Sequence, residues 1–415
     1  MKLPAYSFGT GDRFCQQGKA QLEAIIQANK LGIPLVPVWN KSNREHLIVH
    51  TTPESTRSEA DESVAALGWT GPYYVDADHI NLGNVDPFID SSDFFTMDVA
   101  DYIGKKAAEN EISEFIRSCE PFLGTLSIPG VEGHFPITDE LVGYVADNFL
   151  FAIKEAGKIY MHILEKKGPE EFIPEISMDE TARAQTPPEM FLILKAVADE
   201  KIPVQTIAPR FTGRFNKGVD YAGPLLQFEQ EFEQDLLVID YAVKEFGLPE
   251  NLKLSIHSGS DKFSIYPIMG KLIKKHGKGI HVKTAGTTWL EEVIGLAESE
   301  GEGLKIARAI YEMAYERRDE LCKPYATVID IDSSRLPSPV EVRSWAGVKF
   351  AGSLRHIPDH PDYNPHFRQL IHVGYKVAVD MGDPFYDSLK ENKRIVAENV
   401  RENLLERHIK RLFLQ

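Results

Sequence analysis

Short apolar runs that close in polar residues, each leading into a stretch with apolar positions three and four apart, recur along most of the 415-residue chain. A period near two predicts a strand and one near 3.6 a helix, so the alternation predicts βα units around a parallel sheet. The first run, Ala5-Tyr6-Ser7-Phe8, passes through Gly9-Thr10-Gly11-Asp12, read as a tight turn, into a helix over 16–31 with apolar Ala20, Leu22, Ala24, Ile25 and Ile26. Further strands are predicted at 33–39, 73–80, 204–207, 252–257, 279–284 and 328–331. The longest helical stretch, 224–246, repeats Leu225, Phe228, Phe232, Leu236, Leu237, Tyr241 and Val243 on one face. Strands this short suit a TIM-barrel-like (β/α)8 fold with insertions.

Beyond Pro384 the pattern changes. A highly charged stretch carries spaced Phe385, Leu389, Ile395, Val400, Leu404, Leu405, Ile409 and Leu412, which predicts a helical C-terminal extension. It would serve as a clasp, as plain surface helices or as a homo-oligomer contact. No linker, repeat or low-complexity tract divides the rest, so the expected organisation is a decorated barrel catalytic domain over 1–383 and a helical extension over 384–415.

Charge narrows the partners. With 46 Lys+Arg against 62 Asp+Glu, a net charge of −16 disfavours nucleic acid and anionic membranes and leaves a small molecule. Cys15, Cys119 and Cys322 are isolated and odd in number, and the first residues lack a long apolar run. Both features suit a reducing, cytoplasmic location with no membrane span.

Polar residues gather where the predicted strands end, which is where a barrel builds its active site. Asp76-Ala77-Asp78-His79 closes one strand and precedes an acidic loop with Asp86, Asp90, Asp93 and Asp98. Alternation puts Asp76 and Asp78 on one face and His79 on the other, unless the strand's last residue turns. Carboxylate and imidazole together suit a divalent metal or an acid/base pair, and equally a capped, solvated turn. His257 ends another strand ahead of Ser258-Gly259-Ser260-Asp261-Lys262, a turn able to offer N–H groups and Lys262 to an anion. In the next strand His281 and Lys283 share a face. Arg210, Arg214 and Lys217 form a basic, glycine-punctuated loop that would hold a small anion or form surface salt bridges. Glu175-Ile176-Ser177-Met178-Asp179-Glu180 reads as another strand end with a spare carboxylate, or as a helix cap. Asp220 could simply cap the long helix. Of His356, His360, His366 and His372, the last is the best site candidate, and the set has no regular metal spacing. The chain contains no G-x-G-x-x-G, no G-x-x-x-x-G-K-[ST], no H-E-x-x-H and no G-x-S-x-G.

Seven words then occur in order: Ser7-Phe8-Gly9-Thr10-Gly11-Asp12-Arg13-Phe14, Val38-Trp39-Asn40-Lys41-Ser42-Asn43-Arg44-Glu45-His46, Val75-Asp76-Ala77-Asp78-His79-Ile80, Phe95 to Gly104, Asn216-Lys217-Gly218-Val219-Asp220-Tyr221, His257 to Lys262 and Lys283-Thr284-Ala285-Gly286-Thr287. Together they resemble the tagaturonate epimerase family, whose members interconvert tagaturonate and fructuronate and in some cases tagatose and fructose. The resemblance implies a barrel-like α/β fold, a sugar or sugar-acid substrate and a divalent transition metal (Mn, Ni, Co, Zn or Fe). Residue by residue it implies His79, Asp220 and His257 as metal ligands, Asp78 as proton acceptor and Glu180 as proton donor, with Asp179 or Glu175 in that last role if the register differs. Lys41, Arg44, Arg214, Lys262 and Lys283 are then expected to hold the substrate's carboxylate and hydroxyls. Competing readings are a metal-dependent sugar isomerase or aldolase on the same architecture, and a non-catalytic sugar-acid binding protein.

Overall fold

The computed structural model describes every residue except Glu180, Ala182, Gly259, Ala285 and Gln415. Eight strands close into a parallel barrel in chain order: β1 Tyr6–Gly11, β2 Leu35–Ser42, β3 Tyr74–Ile80, β4 Phe94–Asp98, β5 Ile173–Ser177, β6 Thr206–Ala208, β7 Lys253–His257 and β8 Ile280–Lys283. Strand β8 returns to β1, pairing Ser7 with His281 and Gly9 with Lys283. The barrel-with-insertions expectation therefore holds, with differences in detail. Gly9-Thr10-Gly11 continues β1 instead of turning, and 328–331 forms no strand. The segment Phe94–Asp98, read as part of an acidic loop, is β4. The predicted helices appear as Gly18–Lys30 and Leu225–Phe246.

The barrel interior is layered. At its N-terminal end Val36, Val38, Tyr74, Phe94 and Ile173 form an apolar plug with Leu3. Two residues further along each strand, the inward positions become Asn40, Asp76, Thr96 and Glu175, all buried. Period-two alternation forces this stacking, because inward residues i and i+2 of adjacent strands lie side by side. Charged groups at such depth persist only when paired, and Lys283 at the end of β8 supplies the countercharge, as described below.

A large insertion follows β4. It holds helices Glu109–Cys119, Asp139–Asn148 and Leu150–Lys167 and a two-stranded antiparallel ribbon, Gly124–Leu126 with Phe135–Ile137. The C-terminal region is helical, with Asp383–Glu391 and Lys393–Glu402 followed by a π-helical segment Asn403–Ile409 and Lys410–Phe413. Its apolar residues Phe385, Leu389, Val396, Val400, Leu404, Ile409 and Leu412 are buried within this chain. Tyr6 of β1 packs on Phe413 at 5.0 Å between ring centroids. Among the described residues no helix is long and apolar enough to cross a membrane.

Candidate active site

Because all eight strands are parallel, their C-terminal residues meet at one mouth of the barrel. His79 near the end of β3, Asp98 ending β4, Asp179 two residues past β5, His257 ending β7 and Lys283 ending β8 share that mouth. Strict alternation would have turned His79 away from Asp76 and Asp78. Two local features bring it back: the β3–β4 register shifts between Ala77 and Ile80, and His79 adopts a left-handed backbone with φ +53°. A non-glycine residue in that region is strained, and such strain gathers at functional positions.

Ligand atoms of His79, Asp179 and His257 lie within 4.8 Å of one another. Each histidine is oriented by a carboxylate on its other nitrogen. Asp98 Oδ2 lies 3.0 Å from His79 Nδ1, and Glu175 Oε1 lies 2.8 Å from His257 Nε2. The inward-facing nitrogens are thus His79 Nε2, 3.9 Å from Asp78, and His257 Nδ1, 3.4 Å from Asp179. His257 Nδ1 is buried and has no hydrogen-bond partner among the described residues. Two imidazoles and one carboxylate with carboxylate-anchored backs fit a divalent transition metal with open coordination positions.

Beneath them lies the buried charge layer. Lys283 Nζ sits 2.7 Å from Asp76, 3.0 Å from Asp78 and 2.9 Å from Glu175, and it also donates to Thr96 Oγ1. Room for this lysine comes from Gly9, where an added methyl group would lie 2.9 Å from Lys283 Cγ. Burial favours neutral carboxyls, but Lys283, His79 and His257 outweigh it at Asp78 and hold that group down to about 2. Asp76 experiences the same burial with two acidic neighbours, and is pushed up to about 7 despite Lys283. Burial likewise opposes a charged ring at His257, yet Asp179 and Glu175 raise it to about 9. Asp78 and Asp98 similarly lift His79 well above the ordinary imidazole range against its burial. The surrounding carboxylates thus favour positive charge at the position between the rings.

The cluster opens into a cavity of about 400 Å³ whose walls include Asp78, Asp179, His257, Arg44, Lys217 and Tyr325. That volume suits a small polar molecule. The tagaturonate epimerase (UxaE) family model matches residues 1–412. The chain belongs to this family. It is therefore an isomerase of the epimerase class. A tagaturonate/fructuronate epimerase from Thermotoga maritima is 28% identical over 97% of this chain and 80% of its own length. Crystal structures of a fructuronate-tagaturonate epimerase from Cohnella laeviribosi share the fold. The glycerol complex with one glycerol has a TM-score of 0.82 at 23% identity, covering 99% of this chain and 82% of that one. The native form has a TM-score of 0.79, also at 23% identity, covering 99% of this chain and 82% of that one.

Within this tagaturonate epimerase family member the expected site residues divide. His79, His257, Asp78 and Lys283 converge as described. Arg44 and Arg214 line the cavity, Arg44 over the Tyr325 ring at 5.5 Å and Arg214 paired with Asp330 at 3.2 Å. Asp220 stands elsewhere: its carboxylate accepts from Ser264 N at 3.1 Å and Ser264 Oγ at 3.0 Å, and Asp179 occupies the third position beside the histidines. Lys41 points outward from β2, since Asn40 and Ser42 take the inward parity. Its ammonium, in a residue 1% exposed, donates to Arg13 O at 2.7 Å and Thr51 Oγ1 at 3.0 Å. Lys262 is also buried and donates to the carbonyls of Asn216 and Val219 at 3.0 and 2.9 Å, tying the 216–219 loop to the end of β7. Neither lysine faces the cavity. Glu180, the expected proton donor, lies outside the described residues; its neighbours Asp179 and Thr181 line the cavity. Thr96 is a site residue that sequence reasoning missed, and Asp98 was placed only in an acidic loop, although apolar Phe94-Phe95 and Met97 around Thr96 carried a strand pattern that could have found both positions.

Proposed function

We propose that this chain is a metal-dependent epimerase of ketohexuronates, interconverting tagaturonate and fructuronate by inverting the hydroxyl-bearing carbon β to the ketone. What carries the reading is the His79, Asp179 and His257 cluster beside an ionised Asp78 at the mouth of a cation-lined cavity. The relatives' names support the substrate pair. Arg44, Lys217 and Arg214 in the cavity wall favour a sugar acid over the neutral pair tagatose and fructose.

A hydrogen β to a ketone is not acidified as an α hydrogen is, so simple enolisation cannot invert this carbon. Retro-aldol cleavage can. Asp78 takes the proton of the β-hydroxyl, the adjacent C–C bond breaks to an aldehyde and an enediolate, the aldehyde turns its other face, and the bond re-forms as Asp78 returns the proton. A divalent metal held by His79, Asp179 and His257 supplies Lewis-acid stabilisation of developing negative charge. Lys283 orients Asp78 and keeps it ionised at the start of each cycle, ready to accept the proton, since its own charge is fixed by Asp76 and Glu175.

Elemental analysis of the purified protein, followed by turnover of tagaturonate and fructuronate before and after chelation and metal return, tests the reading. Stoichiometric metal and chelator-sensitive interconversion are expected. Undiminished turnover by metal-free protein would overturn it, and accumulation of three-carbon fragments as end products would identify an aldolase.

A further inference from the structure

Helix Thr287–Glu298, which follows β8, begins without a side-chain cap: Gly286 holds its N-cap position with φ +87°. Residues 287–297 are all buried, so the first N–H groups of the helix are shielded from bulk water and carry the positive end of its dipole. His372 approaches this end. A methyl group built on Gly286 would lie 2.6 Å from His372 Nε2 and 2.9 Å from Arg13 Nη2, so imidazole and guanidinium converge where only glycine leaves room. His372 is 1% exposed, and neither ring nitrogen has a hydrogen-bond partner among the described residues. An unpartnered buried ring of this kind is costly, and a ligand that bonds to it removes the cost.

The charges that act most strongly on the ring are of one sign. Burial and then Arg13, Lys217, Arg368 and Lys262 hold His372 well below the ordinary imidazole range. Two acidic groups nearby are already engaged. Glu45 pairs with Arg13 at 3.2 Å. Asp261, which accepts from Thr287 Oγ1, pairs with Arg368 at 2.8 Å and with His356 and His408 at 3.2 Å each.

This corner adjoins the catalytic cavity. Gly218 packs on His372, with 3.4 Å from its ideal Cβ to that of the histidine, and the preceding Lys217 lines the cavity. Arg13 stacks on Tyr375 at 4.0 Å, and Tyr375 touches the cavity residue Tyr325 at 3.2 Å between hydroxyls. Gly286 is three residues from Lys283, so its backbone lies within about 11 Å of that lysine's, a reach comparable with a six-carbon sugar acid. Loops after the last two strands of a barrel, together with a helix N-terminus, are a frequent oxyanion position.

We propose that the N-terminus of helix Thr287–Glu298, His372, Arg13 and Lys217 form an oxyanion subsite that seats the substrate carboxylate at the end of the sugar opposite the ketone. The carboxylate assignment rests on the hexuronate reading above; the oxyanion subsite itself does not. It makes His372 and Lys217 determinants of specificity for uronate over neutral ketose.

The test uses the full, metal-loaded chain as wild type, His372→Gln and Lys217→Met. Its readouts are steady-state kinetics on tagaturonate, tagatose and fructose 6-phosphate, and melting temperature with and without inorganic phosphate. Each variant is expected to raise KM for tagaturonate at least tenfold with a smaller change in kcat, and to narrow the preference for tagaturonate over tagatose. Phosphate is expected to compete with tagaturonate and to raise the melting temperature of the wild type but not of His372→Gln. Equal losses on both sugars, or a phosphate effect that survives His372→Gln, would overturn the subsite. Preference for fructose 6-phosphate over tagaturonate would overturn the carboxylate assignment. Absence of any sugar turnover by the wild type would sink the epimerase reading alone, and the phosphate-dependent melting shift would still decide the subsite. Lys217→Met, on a half-buried loop, keeps the test valid should His372→Gln fold poorly.

Discussion

Lys283→Met removes one ammonium and strands three carboxylates. In the wild type that ammonium lies 2.7–3.0 Å from Asp76, Asp78 and Glu175, in a side chain 3% exposed. At an effective dielectric near 20, each such contact is worth roughly 5–6 kcal/mol before desolvation is subtracted. Measured losses on removing one partner of a buried pair are about 3–5 kcal/mol, because the remaining charge stays buried. Unfolding entropy of about 2.1 cal/mol/K per residue amounts to roughly 0.9 kcal/mol/K for a chain of this length, so the melting temperature should fall by about 3–6 °C at pH 7.5. The pH dependence fixes the cause. In the wild type Lys283 helps hold Asp78 and Glu175 below their ordinary values, so their stabilising contribution is present above pH ~4 and is lost as pH falls further. In the variant only the neighbouring histidines oppose burial at these two groups, so their folded values rise, and the cost of keeping them ionised grows as pH rises. The gap between the two proteins should therefore shrink between pH 7.5 and 5, measured by scanning calorimetry on chelated samples. A gap that is absent, or constant across that range, would refute the ion-pair account of this layer.

Three further outcomes are expected. Asp179→Asn should lower metal retention at least tenfold by elemental analysis after dialysis, while Asp220→Asn should retain metal and lose about 1 kcal/mol from the weakened cap on Ser264; the reverse result would return Asp220 to the ligand set. Asp78→Asn should lower kcat by about 10²–10⁴ with metal content unchanged, and a smaller loss would remove it as the proton acceptor. Lys253 lies at the far end of the barrel, where burial and then Lys2 lower it to about 7. The unfolded chain therefore holds more protons between pH ~7 and ~10, so wild-type stability should climb over that interval. Lys253→Met should lose that climb, and an unchanged slope in a melting-temperature series would count against the shift.

Much of the fold was legible because alternation and turn chemistry are local. The strand ends at Asp76-Ala77-Asp78-His79, His257 and Lys283 stand out as polar closures of apolar runs, and parallel barrels bring such ends together whatever lies between them. Strand β4 was harder to find, because its core residues are only Phe94, Phe95 and Met97 and its polar residues, Thr96 and Asp98, belong to the site itself. Lys41 and Lys283 show the limit from another side. Both are lysines near strand ends, but parity points one outward to Arg13 and Thr51 and the other inward to three carboxylates.

The sequence by itself determined the barrel, the helical tail and the identity of the residues at the strand ends, because those follow from periodicities of two and 3.6 and from motif order along one chain. Only the tertiary structure decided which of those residues meet. A register shift and a left-handed His79 carry that ring back to Asp78. Asp179, not Asp220, stands between the histidines, and Gly9 clears the path by which Lys283 reaches across the barrel. Those outcomes depend on closure of eight strands around a shared axis, where a difference of one residue in register reverses the face of every side chain beyond it.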